Sequence, residues 1–185
     1  MRGKIFFHCL IMIFIFLLNL PFAAEGGQED LFAKIKISPS KGDKKTPDFS
    51  LKDLDGRKVG LKQFKGKVIF LNFWATWCSP CKEEMPGLEA LHQKFREKSF
   101  DLLTISVDYE GLKPVQEFIN KHHYTFPVLL DPNGVVLDLF QVTAIPTTFI
   151  IDKKGRMVGK AVGPRDWKSP EVISLINLLI EKQVK

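Results

Sequence analysis

The sequence predicts an α/β fold in which helices flank a mixed β-sheet. Three patterns carry that prediction. Strand-length apolar runs alternate with helix-length amphipathic ones along residues 45–185. One run, Val68-Ile69-Phe70-Leu71-Asn72-Phe73-Trp74, is apolar almost throughout and β-branched at its start, as suits a strand covered on both faces. The last two strands are separated only by the turn Lys153-Lys154-Gly155, a hairpin that adds antiparallel pairing to the parallel kind.

Taken in order, residues 1–24 are an address rather than part of the fold. Arg2 and Lys4 precede an apolar stretch over residues 5–20, and Pro21, Ala23 and Ala24 follow it. That order is the one a secretory signal peptide uses. A cut after Ala24 puts bulky Phe22 three places before it, so an uncleaved membrane anchor is the competing reading. Either way the positive flank leaves the rest of the chain exported, in the periplasm or at the outer face of the cytoplasmic membrane. Residues 25–44 mix Gly, Ser, Lys and acids with only Ile35 and Ile37 alternating, and read as a linker or a frayed first strand.

The domain proper spans residues 45–185. Phe49 and Leu51, then Val59 and Leu61, alternate about Asp53-Leu54-Asp55-Gly56, a short hairpin in which Gly56 takes a backbone angle other residues avoid. After the buried run at 68–74 the chain turns directly into a helix, because Leu88, Leu91 and Phe95 follow Cys81 at helical spacing. Next come a strand over 102–107, a helix around Val115, Phe118 and Ile119, a strand over 126–130 and a short helical piece over 135–140. Strands over 147–151 and 157–162 precede a closing helix capped by Ser169, with Pro170 at its first position.

Composition excludes whole classes of function. Apolar residues make up 45% of the chain, too many for disorder, and beyond residue 24 they are too interrupted for repeated membrane spans. With 3 Cys there is no disulfide-stapled scaffold, so cysteine chemistry must be local. The net charge is +6, but basic and acidic residues are interleaved and no basic run alternates with stacking aromatics, so no nucleic-acid partner is expected.

The chemistry lies where the buried strand meets the helix. In Cys78-Ser79-Pro80-Cys81 the first cysteine faces unpaired backbone N–H groups and the positive end of the helix dipole, both of which favour thiolate over thiol. Cys78 is therefore the candidate nucleophile. Cys81, one turn on, is placed to attack a mixed disulfide on Cys78 and release the partner reduced. Pro80 fits the first turn, where its missing N–H has no role. Two blander readings compete, half of a zinc site and a pair of buried structural thiols; zinc would need two more ligands, and the adjacent His122 and His123 diverge on their helix. Glu84 falls in line with Leu88, Leu91 and Phe95, one turn past Cys81, so it is either an exposed residue at the border of the apolar stripe or a partly buried acid that exchanges a proton with Cys81.

Phe73-Trp74-Ala75-Thr76-Trp77-Cys78-Ser79-Pro80-Cys81, with Ile145-Pro146-Thr147 downstream, resembles the thioredoxin superfamily. Pro47-Asp48-Phe49, Asp55-Gly56, Gly66-Lys67 and Glu84-Met85-Pro86 narrow the resemblance to the TlpA/ResA-type exported thiol-disulfide oxidoreductases. The resemblance implies a thioredoxin-like fold with an added N-terminal hairpin and an inserted helical segment within residues 111–140. It implies that Pro146 is cis beside the sulfurs and that the backbone at Ile145 pairs with a bound peptide, so Trp77, Ser79, Pro80, Ile145 and Pro146 form the substrate-binding set. Thioredoxins carry a buried acid in the preceding strand; here that position is Asn72, and the resemblance hands the acid's role to Glu84 beside the Cys78/Cys81 redox disulfide. It further implies no cofactor or metal, protein disulfides as substrates, a membrane electron donor of the thiol-transporting type, and a place in cytochrome c maturation. Two other classes stay open: a peroxiredoxin-like peroxidase, for which no Pro lies upstream of Thr76 in the cysteine loop, and a metal-delivery or binding module of thioredoxin shape, whose wider cysteine spacing and distal His are not evident.

Overall fold

The computed structural model describes residues 23–40 and 45–182. The address or anchor expected over 1–24 therefore lies outside the described residues, except that Ala23 and Ala24 open a helix. Among the described residues no helix is long and apolar enough to cross a membrane.

Helix α1 (Ala23–Lys34) and the two-residue strand β1 (Ser38–Pro39) come first. The hairpin β2 (Ser50–Asp53) and β3 (Lys58–Gly60) leads to a 3-10 turn, Leu61–Phe64. Strand β4 (Val68–Trp74) runs into α2 (Ser79–Phe95), β5 (Phe100–Ser106) into α3 (Leu112–His122), and β6 (Val128–Leu130) into the short α4 (Val135–Leu139). Strands β7 (Thr147–Ile151) and β8 (Met157–Val162) and helix α5 (Pro170–Glu181) close the chain.

The eight strands form one sheet in the order β1-β8-β7-β4-β5-β6-β2-β3. Strand β4 pairs parallel with β5 and antiparallel with β7, so the sheet is mixed, as its sequence predicts. All seven residues of β4 are buried. Alternation sends Phe70 and Trp74 into one core layer with Leu88 and Leu91 of α2 and Leu175 of α5, and sends Ile69, Leu71 and Phe73 into a second layer with Phe49 and Phe140. The expected hairpin is present, with Leu51 opposite Val59 and Gly56 at φ 80°, and β2 joins the sheet through β6. Residues 111–140, expected to hold the insertion, carry α3, β6 and α4. Strand β6 begins two residues later than the apolar run suggests: Pro127 has no N–H for a ladder, though its carbonyl accepts from Thr104 N and Oγ1.

The segment read as a linker or a frayed first strand is more structured than that reading. Ser38 and Pro39 pair with Lys160 and Gly159 at the edge of β8, while Phe32 of α1 and Ile37 beyond it are buried. Both press on Gly159, where a Cβ would meet Ile37 Cγ2 at 2.8 Å and Phe32 Cζ at 3.0 Å. Phe32 and Ile37 stand five places apart, which matches neither helical nor strand period, so their shared burial leaves no pattern in the sequence. Truncating a buried Phe to Ala removes its burial energy and leaves a cavity, at about 3 kcal/mol or more. Phe32→Ala should therefore lower stability by that amount in urea denaturation; an unchanged midpoint would return the segment to the status of a linker.

Candidate active site

The loop between β4 and α2 is short and fully specified. Cys78 N–H donates to the Ala75 carbonyl at 3.2 Å, and Cys78 then caps α2: its backbone is extended (φ −86°, ψ 103°), its carbonyl accepts from Lys82 N, and its Sγ accepts from Cys81 N–H at 3.3 Å. A sulfur in that position faces the N–H groups of the first turn, the arrangement that stabilises a thiolate once the pair is reduced. Cys78 and Cys81 are joined in a disulfide with Cα atoms 5.3 Å apart. Cys78 is 5% exposed and Cys81 is sealed. The two sulfurs are therefore unequal: only the first can be approached from outside.

Around that approach lie the residues the sequence singled out. Trp77 is 60% exposed, and Ser79 and Pro80, in the first turn of α2, are exposed as well. The chain also returns to the sulfur from β7: the Ile145 carbonyl oxygen is 3.8 Å from Cys78 Sγ, and the Ile145–Pro146 bond is cis. Pro146 is buried and Ile145 half-buried. The five predicted substrate-side residues thus lie in the loop before α2, in the first turn of α2 and in the loop before β7, which meet at Cys78.

Asp108 was not anticipated. It is buried, two residues past the end of β5, and its carboxylate accepts from Thr76 N–H at 3.0 Å, from the Thr76 hydroxyl and from the Ser106 hydroxyl at 2.7 Å. That staple fixes the backbone two residues before Cys78. The available signal was positional, an acid just outside the carboxyl end of a parallel strand, where sites of open α/β sheets gather.

Glu84 is buried, 3% exposed, on the face of α2 that meets the sheet. Asn72 of β4 donates Nδ2–H to its Oε1 at 2.8 Å, and the same nitrogen reaches the Oγ1 of Thr148, its cross-strand neighbour on β7, at 2.9 Å. Trp167 Nε1–H and Arg165 N–H donate to Oε2 at 2.8 and 3.1 Å. Loss of water pushes the carboxyl up to about 7, against the bonds from Trp167, Asn72 and Arg165 and the nearby guanidinium, all of which favour the charged form. A group that titrates near neutrality accepts and returns a proton at little cost. Glu84 also borders a surface cavity with Pro86, Arg165, Asp166 and Lys168. Of its partners, Asn72 was noted from sequence, whereas Arg165 and Trp167, more than 80 residues downstream, left no spacing to read. Among the described residues no group of three or more His, Cys, Asp or Glu could hold a metal ion.

The chain is similar to known proteins in sequence and in shape. Residues 43–160 match the model of the AhpC/TSA family. The thiol-disulfide oxidoreductase ResA of Bacillus thuringiensis subsp. konkukian is 39% identical over 120 residues, which cover 65% of this chain and 69% of that protein. The thioredoxin-like protein YneN of Bacillus subtilis is 38% identical over 144 residues, 76% of this chain and 82% of that one. Among solved structures, StoA of Bacillus subtilis superposes with a TM-score of 0.57 at 29% identity, over 64% of this chain and 89% of that one. A thiol:disulfide interchange protein of the thioredoxin family from Chlorobium tepidum superposes with a TM-score of 0.65 at 26% identity, over 76% and 99%.

The raised carboxyl makes stability depend on pH with a definite sign. An unfolded Glu loses its proton near 4.5, whereas folded Glu84 keeps it until about 7. The contribution is full below about pH 4.5 and is lost as pH rises to about 7, a fall of about 3 kcal/mol. Urea denaturation of the oxidised protein across that window should show the loss, and Glu84→Gln should flatten it. A parent and variant with the same slope would mean that Glu84 titrates as an exposed acid.

Proposed function

The chain belongs to the AhpC/TSA family and is a thioredoxin-like thiol-disulfide oxidoreductase; from that premise we propose that it reduces disulfides of exported proteins by dithiol exchange through Cys78 and Cys81. The observation that carries this reading is the inequality of the two sulfurs, one at the rim and capped by a helix start, the other sealed one turn from a buried acid.

The cycle runs as follows. The Cys78 thiolate attacks one sulfur of a substrate disulfide; that S–S bond breaks, the departing sulfur takes a proton, and a mixed disulfide links Cys78 to the substrate. Asp108, through Thr76, and the N–H of Cys81 hold the attacking sulfur in place. The Ile145 backbone lies where an extended substrate segment would run past Cys78. Cys81, buried among apolar side chains, ionises reluctantly, and Glu84 accepts its proton. The Cys81 thiolate then attacks Cys78 Sγ; the mixed disulfide breaks as the Cys78–Cys81 disulfide forms, the departing substrate sulfur takes a proton, and the substrate leaves as a dithiol carrying two electrons. A membrane electron donor of the thiol-transporting type returns the pair to the reduced state. In this proposal residues 1–24 direct the domain out of the cytoplasm, and the reading extends to a role in cytochrome c maturation.

Assignment of roles to the two sulfurs predicts opposite outcomes for two variants. Cys81→Ser, lacking the resolving thiol, should accumulate mixed disulfides through Cys78, visible as reducible adducts on non-reducing gels; Cys78→Ser should not. Equal trapping by both would undo the assignment. A reporter enzyme that works only outside the cytoplasm, fused after Lys185, should be active; activity confined to a cytoplasmic reporter would remove the export reading.

A further inference from the structure

The end of the molecule opposite the disulfide is basic. Seven extended residues set the ends of β4 roughly 20 Å apart; the disulfide loop follows its last residue and Lys67 precedes its first. Strand β7 ends at that same pole, since Ile151 pairs with Ile69, so Lys153 and Lys154 lie there too. A shallow cavity at this pole is lined by Lys45, Lys62, Lys65, Lys67, Lys153 and Lys154, with Asp48 and Asp152 as its acids. Both acids are engaged, Asp48 by Lys62 at 2.6 Å and Asp152 by Arg156 at 2.7 Å, and Asp101 pairs with Lys67 at 2.8 Å. Lys45, Lys65 and Lys154 are exposed and ion-paired to none of the described residues. The patch continues into a second cavity bordered by Arg156 and Lys182.

The chain enters the fold at this pole. Lys182 Nζ donates to Gln28 of α1 at 2.5 Å, and Gln28 lines the second cavity beside Lys153 and Lys154. The other end of α1 is held far from the pole, where Arg165 donates to the carbonyls of Ile35 at 3.0 Å and Lys36 at 2.9 Å while its own N–H serves Glu84. Helix α1 therefore points its first residues outward past the lysines, and the apolar stretch of residues 5–20 precedes them.

We infer that this basic pole lies against a membrane surface carrying anionic phospholipid, with the disulfide facing away from it. The inference rests on reading residues 1–24 as an export or anchor segment, which brings the domain to a bilayer. Charge complementarity selects anionic headgroups, each lysine near such a surface adding about a factor of five in partition. A nucleic acid is disfavoured, because among the described residues the exposed aromatic side chains, Trp77 and Tyr109, sit at the carboxyl ends of β4 and β5, away from the lysines, and the half-buried Phe64 is the one aromatic lining the basic cavity, too few for a stacking platform.

Amine acylation of the full chain, read residue by residue by mass spectrometry, tests this on vesicles of phosphatidylcholine alone and of phosphatidylcholine with phosphatidylglycerol. Lys45, Lys65 and Lys154 should label at least about five-fold more slowly on the anionic vesicles. Lys82 and Lys121, exposed elsewhere, should be unchanged, and about 0.5 M salt should abolish the protection. The triple variant Lys45→Glu, Lys65→Glu, Lys154→Glu should lose at least about 100-fold in its preference for anionic over neutral vesicles while exchanging disulfides at the parent rate. Equal labelling on both vesicles, or protection by single-stranded DNA but not by anionic vesicles, would overturn the inference. Retention on neutral vesicles reads the anchor separately: a chain retained there without a footprint on either kind sinks the docked pole alone. A chain footprinted only on anionic vesicles and not retained on neutral ones supports the pole and sinks the anchor.

Discussion

A strand buried on both faces and hydrogen-bonded along both edges cannot slip, because a shift of one residue would carry every side chain into the opposite layer. In β4 the penalty for slipping is steeper still. Asn72 would be driven from its place between Glu84 and Thr148 into the apolar layer around Leu71 and Phe149, with nothing to satisfy its amide. The register of β4 against β5 and β7 is what positions the rest. It delivers the cysteine loop to one end of the sheet and aligns Asn72 with Thr148 beneath α2. It also brings Asp108, at the end of the neighbouring strand, within reach of Thr76.

The polar cluster under α2 is held at a cost in free energy. Burial of the Glu84 carboxyl outweighs three hydrogen bonds and a nearby guanidinium, so the ionised form is disfavoured although every contact made to it is favourable. A hydrophobic residue there would pack without that penalty. In the exchange proposed above, the acid would supply a proton affinity near neutral pH one helical turn from a thiol that must lose a proton in order to act. Asn72 gives both donor hydrogens to this cluster and leaves its Oδ1 buried without a partner among the described residues, a further cost borne at the same spot.

What was legible in the sequence followed periodicity and local spacing. β4, β7 and β8 begin and end where apolar runs and turn residues place them, and α5 begins at the Ser169 cap. The cysteine pair announced itself, and Glu84 could be nominated because three residues on a helix make one turn. What was not legible depended on contacts across long separations. Nothing near Phe32 says that it will be buried against Gly159, and nothing near Arg165 or Trp167 says that they will close over Glu84. The departure at β6 was of another kind, a readable Pro127 whose missing donor outweighed the apolar run around it.

The hydrogen bonds to Glu84 divide the molecule in a way the sheet does not. The family match ends at residue 160, yet two of the three groups donating to the carboxylate are Arg165 and Trp167. The surroundings of the carboxylate are therefore built partly by residues beyond that match and partly, through Asn72, by residues within it. A graft of residues 43–160 onto another scaffold would carry the dithiol and its loops, but leave the acid in whatever environment the host supplied. The segment between the last strand and the last helix, which carries two of the carboxylate's three donors, therefore sets the acid's surroundings from outside that match.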